Sequence, residues 1–229
     1  MKERVISICA IFGSFNRSLF DILHDANQKR GEFSTSLVGV SKDNKIRIKR
    51  QEGIMRYYDK QFPEVAEELV FLGHCQAPTS AQRKYDKSTS HPFKYGKWMV
   101  AHNGVLTNYK DLNAQYTPFN KNPVDTSTIA AMLASFKNDN ETIDNCTIIQ
   151  KVLDLLEGTF ALWIINIDNP QKVYLVRQGS TLFANETGSF SSIQGNGWNE
   201  LAEGTIYLME NNLIKEVGKF KNTTPFLVL

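Results

Sequence analysis

The hydrophobic pattern changes period several times along the chain. Residues 6–13 form a largely apolar, β-rich run, with Ser7 as its polar exception, one thiol, Cys9, at its middle and Gly13 at its end, the signature of a buried first strand. A turn-like cluster follows, in which Asn16 or Ser18 caps a helix over residues 19–29. Leu19, Ile22, Leu23 and Ala26 fall at helical spacing there, and Gly31 suits its stop. Residues 35–40 and 45–49 read as a hairpin across Lys42-Asp43-Asn44; its second arm alternates Ile46 and Ile48 with Lys45, Arg47 and Lys49.

Pro63 suits the first turn of a short helix over residues 63–68. Residues 69–72 make a short buried strand that ends at Gly73-His74-Cys75-Gln76-Ala77-Pro78-Thr79. Residues 80–90 are polar and loop-like, and His91-Pro92-Phe93 closes them. A strand over 97–102 runs directly into Asn103-Gly104, followed by an extended stretch to Tyr109 and a short helix over 110–114. Asp125 is placed to cap a helix whose apolar stripe is Ile129, Met132, Leu133 and Phe136. A second helix covers 145–156 and stops at Gly158. The last third is β-rich, with strands at 160–166, 172–177, 181–184, 205–209 and 213–217, and turns at Asp168-Asn169-Pro170 and Asn211-Asn212. Segregated strands and helices predict an α+β layered fold rather than alternating βαβ units.

Composition narrows the function classes. With 229 residues, 41% hydrophobic and 22% charged, the chain fits one large domain over residues 1–229 with a substantial core. A net charge of +2 gives no electrostatic footprint for nucleic acid or membrane. Cys9, Cys75 and Cys146 are too few and too scattered for a disulfide framework, so a reducing, cytoplasmic location is expected. No apolar run approaches the roughly 18 residues of a membrane span. The run after Lys2-Glu3-Arg4 is at the low edge of a signal sequence and lacks a small-residue cleavage site.

Several positions carry candidate chemistry beside a plainer role. Asn103-Gly104 is a strong type I′ turn signal. It is equally a candidate oxyanion hole, with an Asn amide and a Gly N–H converging on one developing charge. His74, His91, His102 and the cysteines do not match zinc spacings, so neither a metal nor another cofactor is expected. A Cys75–His dyad remains open, without a local signature around Cys75.

Taken together, these segments resemble the glutaminase domain of class II glutamine amidotransferases, which are N-terminal-nucleophile hydrolases. Cys9-Ala10-Ile11-Phe12-Gly13 resembles the family's opening Cys-Gly-Ile-Phe-Gly, and Arg30-Gly31-Glu32-Phe33-Ser34 its Arg-Gly-x-x-Ser. Residues 73–79 sit where the family has Gly-His-Thr-Arg-x-x-Thr, and His91-Pro92-Phe93 resembles its short His-Pro segment. His102-Asn103-Gly104-Val105-Leu106-Thr107-Asn108-Tyr109 is similar to His-Asn-Gly-x-x-x-Asn-Tyr. Val124-Asp125-Thr126-Ser127 resembles Ser-Asp-Thr-Glu. Residues 157–162, Arg177 and Thr181-Leu182 complete the series, which covers nearly the whole chain in the family's order.

The resemblance implies a four-layer αββα sandwich of two mainly antiparallel sheets. It implies that Cys9 attacks the side-chain amide of glutamine, with its own free α-amine as base. Asn103 and the Gly104 N–H would hold the oxyanion, and Asp125 would pair with the α-ammonium of glutamine. Gln76, Thr79, His102 and Arg30 fall on the substrate side. A thioester and ammonia form, and water then releases glutamate. Ammonia would pass to a separate synthase or acceptor, which makes the chain a stand-alone amidotransferase. Two departures stand out. Residues 1–8 precede Cys9, so they are either a propeptide to be removed or an added strand segment. Gln76 replaces the family's carboxylate-binding Arg, a loss of about 1.5–3 kcal/mol of substrate binding that Arg83 or Arg30 would have to make good. Those departures leave two further readings: a catalytically inactive binding or scaffold protein on the same fold, and another amide hydrolase.

Overall fold

The computed structural model describes residues 9–55, 68–77, 85–136 and 144–221. Residues 63–67 of the helix expected over 63–68, Thr79, Arg83 and the possible propeptide 1–8 lie outside them. Strand β1 (Ala10–Ser14) leads into helix α1 (Arg17–Gln28), the hairpin β2 (Ser34–Ser41) and β3 (Ile46–Glu52), and then β4 (Glu68–Gln76). Strands β5 (Phe93–Tyr95) and β6 (Trp98–Leu106) precede helices α2 (Tyr109–Tyr116), α3 (Asp125–Ser135) and α4 (Asn145–Leu153). Strands β7 (Gly158–Asn166), β8 (Val173–Gln178), β9 (Phe183–Asn185), β10 (Ser189–Ser191), β11 (Asn199–Glu200), β12 (Thr205–Glu210) and β13 (Leu213–Lys219) complete the fold.

These strands form two sheets. A seven-stranded sheet has the order β11-β9-β10-β1-β4-β2-β3, and a six-stranded sheet the order β13-β12-β8-β7-β6-β5. All paired strands run antiparallel. The central core lies between the sheets, where Ile11, Val38 and Leu72 meet Met99, Ala101, Trp163 and Leu175. The Trp163 indole N–H, which must find a partner when buried, donates to the Gly73 carbonyl of the opposite sheet at 3.2 Å. Helix α1 covers the outer face of the first sheet through Phe12, Phe20 and Phe71. Helices α3 and α4 cover the second through Ile129, Leu133, Ile149 and Val152, which pack with Val100, Leu162 and Ile164. The result is the αββα sandwich, α+β in class.

Several local expectations change. Helix α1 is capped by Asn16, whose side chain accepts from the Leu19 N–H at 2.9 Å. Its buried face is not the purely apolar stripe, because Ile22 is 64% exposed while His24 and Asn27 are buried. Asn27 turns inward because β10 offers it a partner: its Nδ2 donates to Ser191 Oγ at 2.9 Å. Asp125 is not the N-cap of α3; Val124 holds that position and Asp125 is the first helical residue. Strand β4 does not stop at Gly73 but runs to Gln76, paired on both sides with β1 and β2. Glu68 opens that strand rather than closing a helix. Helix α4 ends at Leu153, and Asp144 caps it.

The type I′ reading of Asn103-Gly104 is also overturned. Strand β6 passes straight through both residues, with Asn103 opposite Ala161 and Gly104 opposite Phe160 on β7. The chain makes its tight turn of that kind at Asn211-Asn212, whose φ angles are 53° and 61°. Strand β9 begins two residues later than expected, and the short strands β10 and β11 have no hydrophobic alternation to announce them.

Candidate active site

Strand alternation decides which side chains share the space between the sheets. On β1, Ile11 faces the inter-sheet core while Ala10 and Phe12 face α1. Cys9, immediately before the strand, has the parity of Ile11. On β4, Leu72 faces inward, which places His74 and Gln76 on the same side. Cys75, opposite Ala10, is buried against α1 instead, so a dyad of Cys75 with the inward-facing His74 is excluded. On β6, Met99 and Ala101 face inward, and Asn103 follows them.

The thiol end of the site is held by main chain and by one buried serine. Cys9 Sγ accepts from the Ala77 N–H at 3.4 Å. Ser192, just past β10, joins β1 through two bonds: its N–H donates to the Ile11 carbonyl at 2.9 Å, and its Oγ accepts from the Ile11 N–H at 3.0 Å. The same Oγ accepts from Asn103 Nδ2 at 3.3 Å. Asn103, only 1% exposed, is thereby tied from the second sheet to the strand that follows Cys9. Arg30 lies beyond α1 and donates through Nη1 to the Ser192 carbonyl at 2.6 Å. Burial lowers the pKa of its guanidinium, and the nearby Cys9 raises it. Gly31 is needed beside it, since a Cβ would stand 2.6 Å from the Cys75 carbonyl oxygen on β4.

A polar network occupies the other face of β6. The His102 Nε2–H donates to the Thr159 carbonyl at 3.2 Å, which leaves Nδ1 facing the Thr126 hydroxyl at 3.1 Å and Asp125 Oδ2 at 3.7 Å. His91 Nε2 reaches the same Thr126 hydroxyl at 2.9 Å, and its ring stacks on His74 with centroids 3.8 Å apart. His74 Nε2 in turn donates to the His102 carbonyl at 3.0 Å. Arg50 holds the next segment, donating to the carbonyls of His91 at 3.0 Å and Pro92 at 2.6 Å. Gly104 passes between these groups with φ 146°, where a Cβ would collide with the Thr159 carbonyl oxygen and stand 2.8 Å from His102 Nε2. No other residue fits there.

Asp125 bridges the start of α3 and the end of β6. Oδ2 accepts from the Leu106 N–H at 3.0 Å, and Oδ1 from the Thr126 N–H at 2.7 Å. Burial pushes its carboxyl pKa up, but the pull of His102 and these N–H donors outweighs burial and holds it at about 2. An acid with a depressed folded pKa stabilises the fold above its ordinary value and loses that contribution as pH falls through the folded value. Asp125 should therefore contribute about 2 kcal/mol at neutral pH, lost between about pH 4 and pH 2. Unfolding free energies from urea titrations of wild type and Asp125→Asn should differ by that amount at pH 7 and converge as pH falls toward 2. A gap that is constant with pH refutes this account.

Gln76 faces inward but is occupied: its Oε1 accepts from Ser34 Oγ at 2.8 Å across the β2–β4 pair. Cys9, Arg30 and Asn103 thus come together through Ser192, while His102 and Asp125 form an adjoining cluster. Sequence reasoning missed Ser192, Thr126 and Arg50, of which only Thr126 sat inside a noted segment. Among the described residues, no group of three or more His, Cys, Asp or Glu is arranged to hold a metal. No helix among them is long and apolar enough to cross a membrane.

No protein-family model matches the chain. Among curated proteins, glutamine–fructose-6-phosphate aminotransferase [isomerizing] of Staphylococcus aureus is 23% identical over 183 residues, covering 79% of this chain and 29% of the relative. Its Staphylococcus epidermidis counterpart is 23% identical over 190 residues, covering 81% and 30%. The chain therefore spans under a third of these relatives' length. Among solved structures, glutamine phosphoribosylpyrophosphate amidotransferase from B. subtilis superposes with a TM-score of 0.71 at 16% identity, covering 93% of this chain and 49% of that one. A glutamine aminotransferase class-II domain protein from Silicibacter pomeroyi gives 0.58 at 11% identity, covering 93% of this chain and 100% of that one. In sequence this chain is similar to glutamine–fructose-6-phosphate aminotransferases, and its fold is that of the glutamine amidotransferase and class-II glutamine aminotransferase domains just compared.

Proposed function

We propose that the chain hydrolyses the side-chain amide of glutamine to glutamate and ammonia. The observation that carries this reading is the link between sheets: Asn103 Nδ2 reaches Ser192 Oγ, which in turn holds β1 two residues past Cys9. A thiol and an amide donor on facing sheets are what acyl transfer to sulfur requires. In this reading Cys9 Sγ attacks the amide carbon and gives its proton to the α-amine of the same residue. The oxyanion lies against Asn103 Nδ2 and the Gly104 N–H. The amine then protonates the leaving nitrogen, the C–N bond breaks, and ammonia departs. Water cleaves the thioester, releasing glutamate and restoring the thiol.

Asp125, ionised at neutral pH, would take the substrate's α-ammonium; His102 positions Asp125 rather than touching substrate. Arg30 would act as a fixed cation beside Cys9. The α-amine is a base only if the bond between Ile8 and Cys9 has been cut, so residues 1–8 act as a propeptide. We assign residues 1–229 to one such domain in the cytoplasm, with ammonia consumed by a synthase or acceptor elsewhere. The test is ammonia release from glutamine, with intact-mass analysis of the same preparation. Activity confined to molecules that begin at Cys9 supports the reading.

Gln76 favours one alternative, an inactive binding protein on the same fold, because its neutral amide can offer a carboxylate a hydrogen bond but not the charge of an Arg. The two readings separate on one variant. Replacing a hydrogen bond to a carboxylate by a bidentate Arg pair is worth about 1.5–3 kcal/mol, on the order of 10- to 150-fold. Gln76→Arg should therefore lower the KM for glutamine at least about tenfold with kcat little changed. An inactive scaffold gains no turnover from that change.

A further inference from the structure

We propose that Ser192 is the positioning residue that sets Asn103 against Cys9, an inference that rests on the amidase reading above. Ser192 is 1% exposed and its main chain is fixed on both sides. Its N–H donates to the Ile11 carbonyl at 2.9 Å, while its own carbonyl accepts from Arg30 Nη1 at 2.6 Å and Thr181 Oγ1 at 2.9 Å. A backbone held this way leaves the hydroxyl little room to move. Its oxygen takes the Ile11 N–H at 3.0 Å on one side and Asn103 Nδ2 at 3.3 Å on the other.

The far side of the Asn103 carboxamide has nothing comparable. Among the described residues, its buried Oδ1 finds no hydrogen-bond partner. The terminal torsion of Asn is broad and roughly two-fold, so the bond to Ser192 is what fixes the plane of that amide. A planar amide has two N–H groups. With one seated on Ser192, the direction of the other is set. Ser192 also anchors Arg30 and the strand that begins beside Cys9, so one residue references the nucleophile, a cation and an oxyanion donor to a common point. Its role is carried through Asn103 and not through contact with substrate.

The test is a double-mutant cycle with glutamine as substrate and processed protein throughout. Misplacing a catalytic group by about 1 Å is worth on the order of 10²-fold. Ser192→Ala should lower kcat about 10- to 100-fold with KM within about twofold, and Ser192→Thr, which keeps the hydroxyl, should restore most of it. In the Asn103→Ala background, Ser192→Ala should have no further effect, because its target is already gone. Because Ser192→Ala also leaves the buried Ile11 N–H without its partner, the thermal midpoint should drop by a similar amount in the wild-type and Asn103→Ala backgrounds, while alkylation of Cys9 by iodoacetamide should not fall with kcat. Unchanged kcat in Ser192→Ala, or losses that multiply in the double variant, overturns the inference and leaves the amidase reading intact. A processed wild type that releases no ammonia overturns both.

Discussion

Cys9→Ala should release no ammonia from glutamine above background, a loss of at least about 10³-fold, the scale expected when a covalent nucleophile is removed. Its position singles out Cys9. It stands at the mouth of β1, on the inter-sheet side, with Sγ taking the Ala77 N–H. No other described cysteine shares that space: Cys75 is packed against α1, and Cys146 lies on α4. The same loss should appear in wild type that retains residues 1–8. A free α-amine has a pKa near 8 and accepts a proton readily, whereas an amide nitrogen does not. A protein whose Ile8–Cys9 bond is blocked should thus bind glutamine and turn none over. Ammonia and glutamate are measured together, with the N-terminus of every sample read by mass. Turnover that survives Cys9→Ala would remove Cys9 from the site altogether.

Asn103→Ala should lower kcat by about 10²- to 10³-fold while KM changes little, the pattern for an oxyanion donor engaged mainly in the transition state. Asn103 sits on β6 opposite Ala161, in the central part of a sheet, so truncating it should not unfold the strand. In the proposed reading Gly104 would supply the companion N–H, from a backbone angle that only glycine tolerates, φ 146°. Steady-state kinetics on processed protein decide the matter. A variant that loses KM in proportion to kcat/KM and keeps kcat would make Asn103 a substrate-binding residue instead.

Much of this arrangement was legible in the residues. The apolar run through Ile11, the hairpin at Asn44 and the helix capped by Asn16 follow from local patterns, and the segregation of strands and helices gives the layers. What was not legible depends on contacts distant in sequence. Ile22 and Asn27 exchange their expected burial because Ser191, 164 residues from Asn27, offers a hydroxyl where α1 lands. Asn103-Gly104 has the local chemistry of a turn, yet β7 supplies nine residues of ladder and keeps the strand straight. Asp125 has the composition of a cap, but the Leu106 N–H and His102 draw its carboxylate away from that role. Ser192 lies in an unremarked Ser191-Ser192 pair, and only the tertiary pairing of β10 with β1 gives it meaning. Candidate chemistry carried by residue type was readable; the residues that aim it were not.

The dependence on Ser192 has a consequence in time. The bond from Asn103 to Ser192 spans 89 residues and the bond from Ile11 to Ser192 spans 181. Synthesis runs from the amino terminus, so Cys9 leaves the ribosome long before the residue that seats its partner has been made. An incomplete chain therefore carries the thiol without the geometry that would put it to use, and the cleft is set only once β10 has docked beside β1. In the proposed reading, the site for amide cleavage is therefore assembled only when β10, made after β1 and β4, has paired with β1.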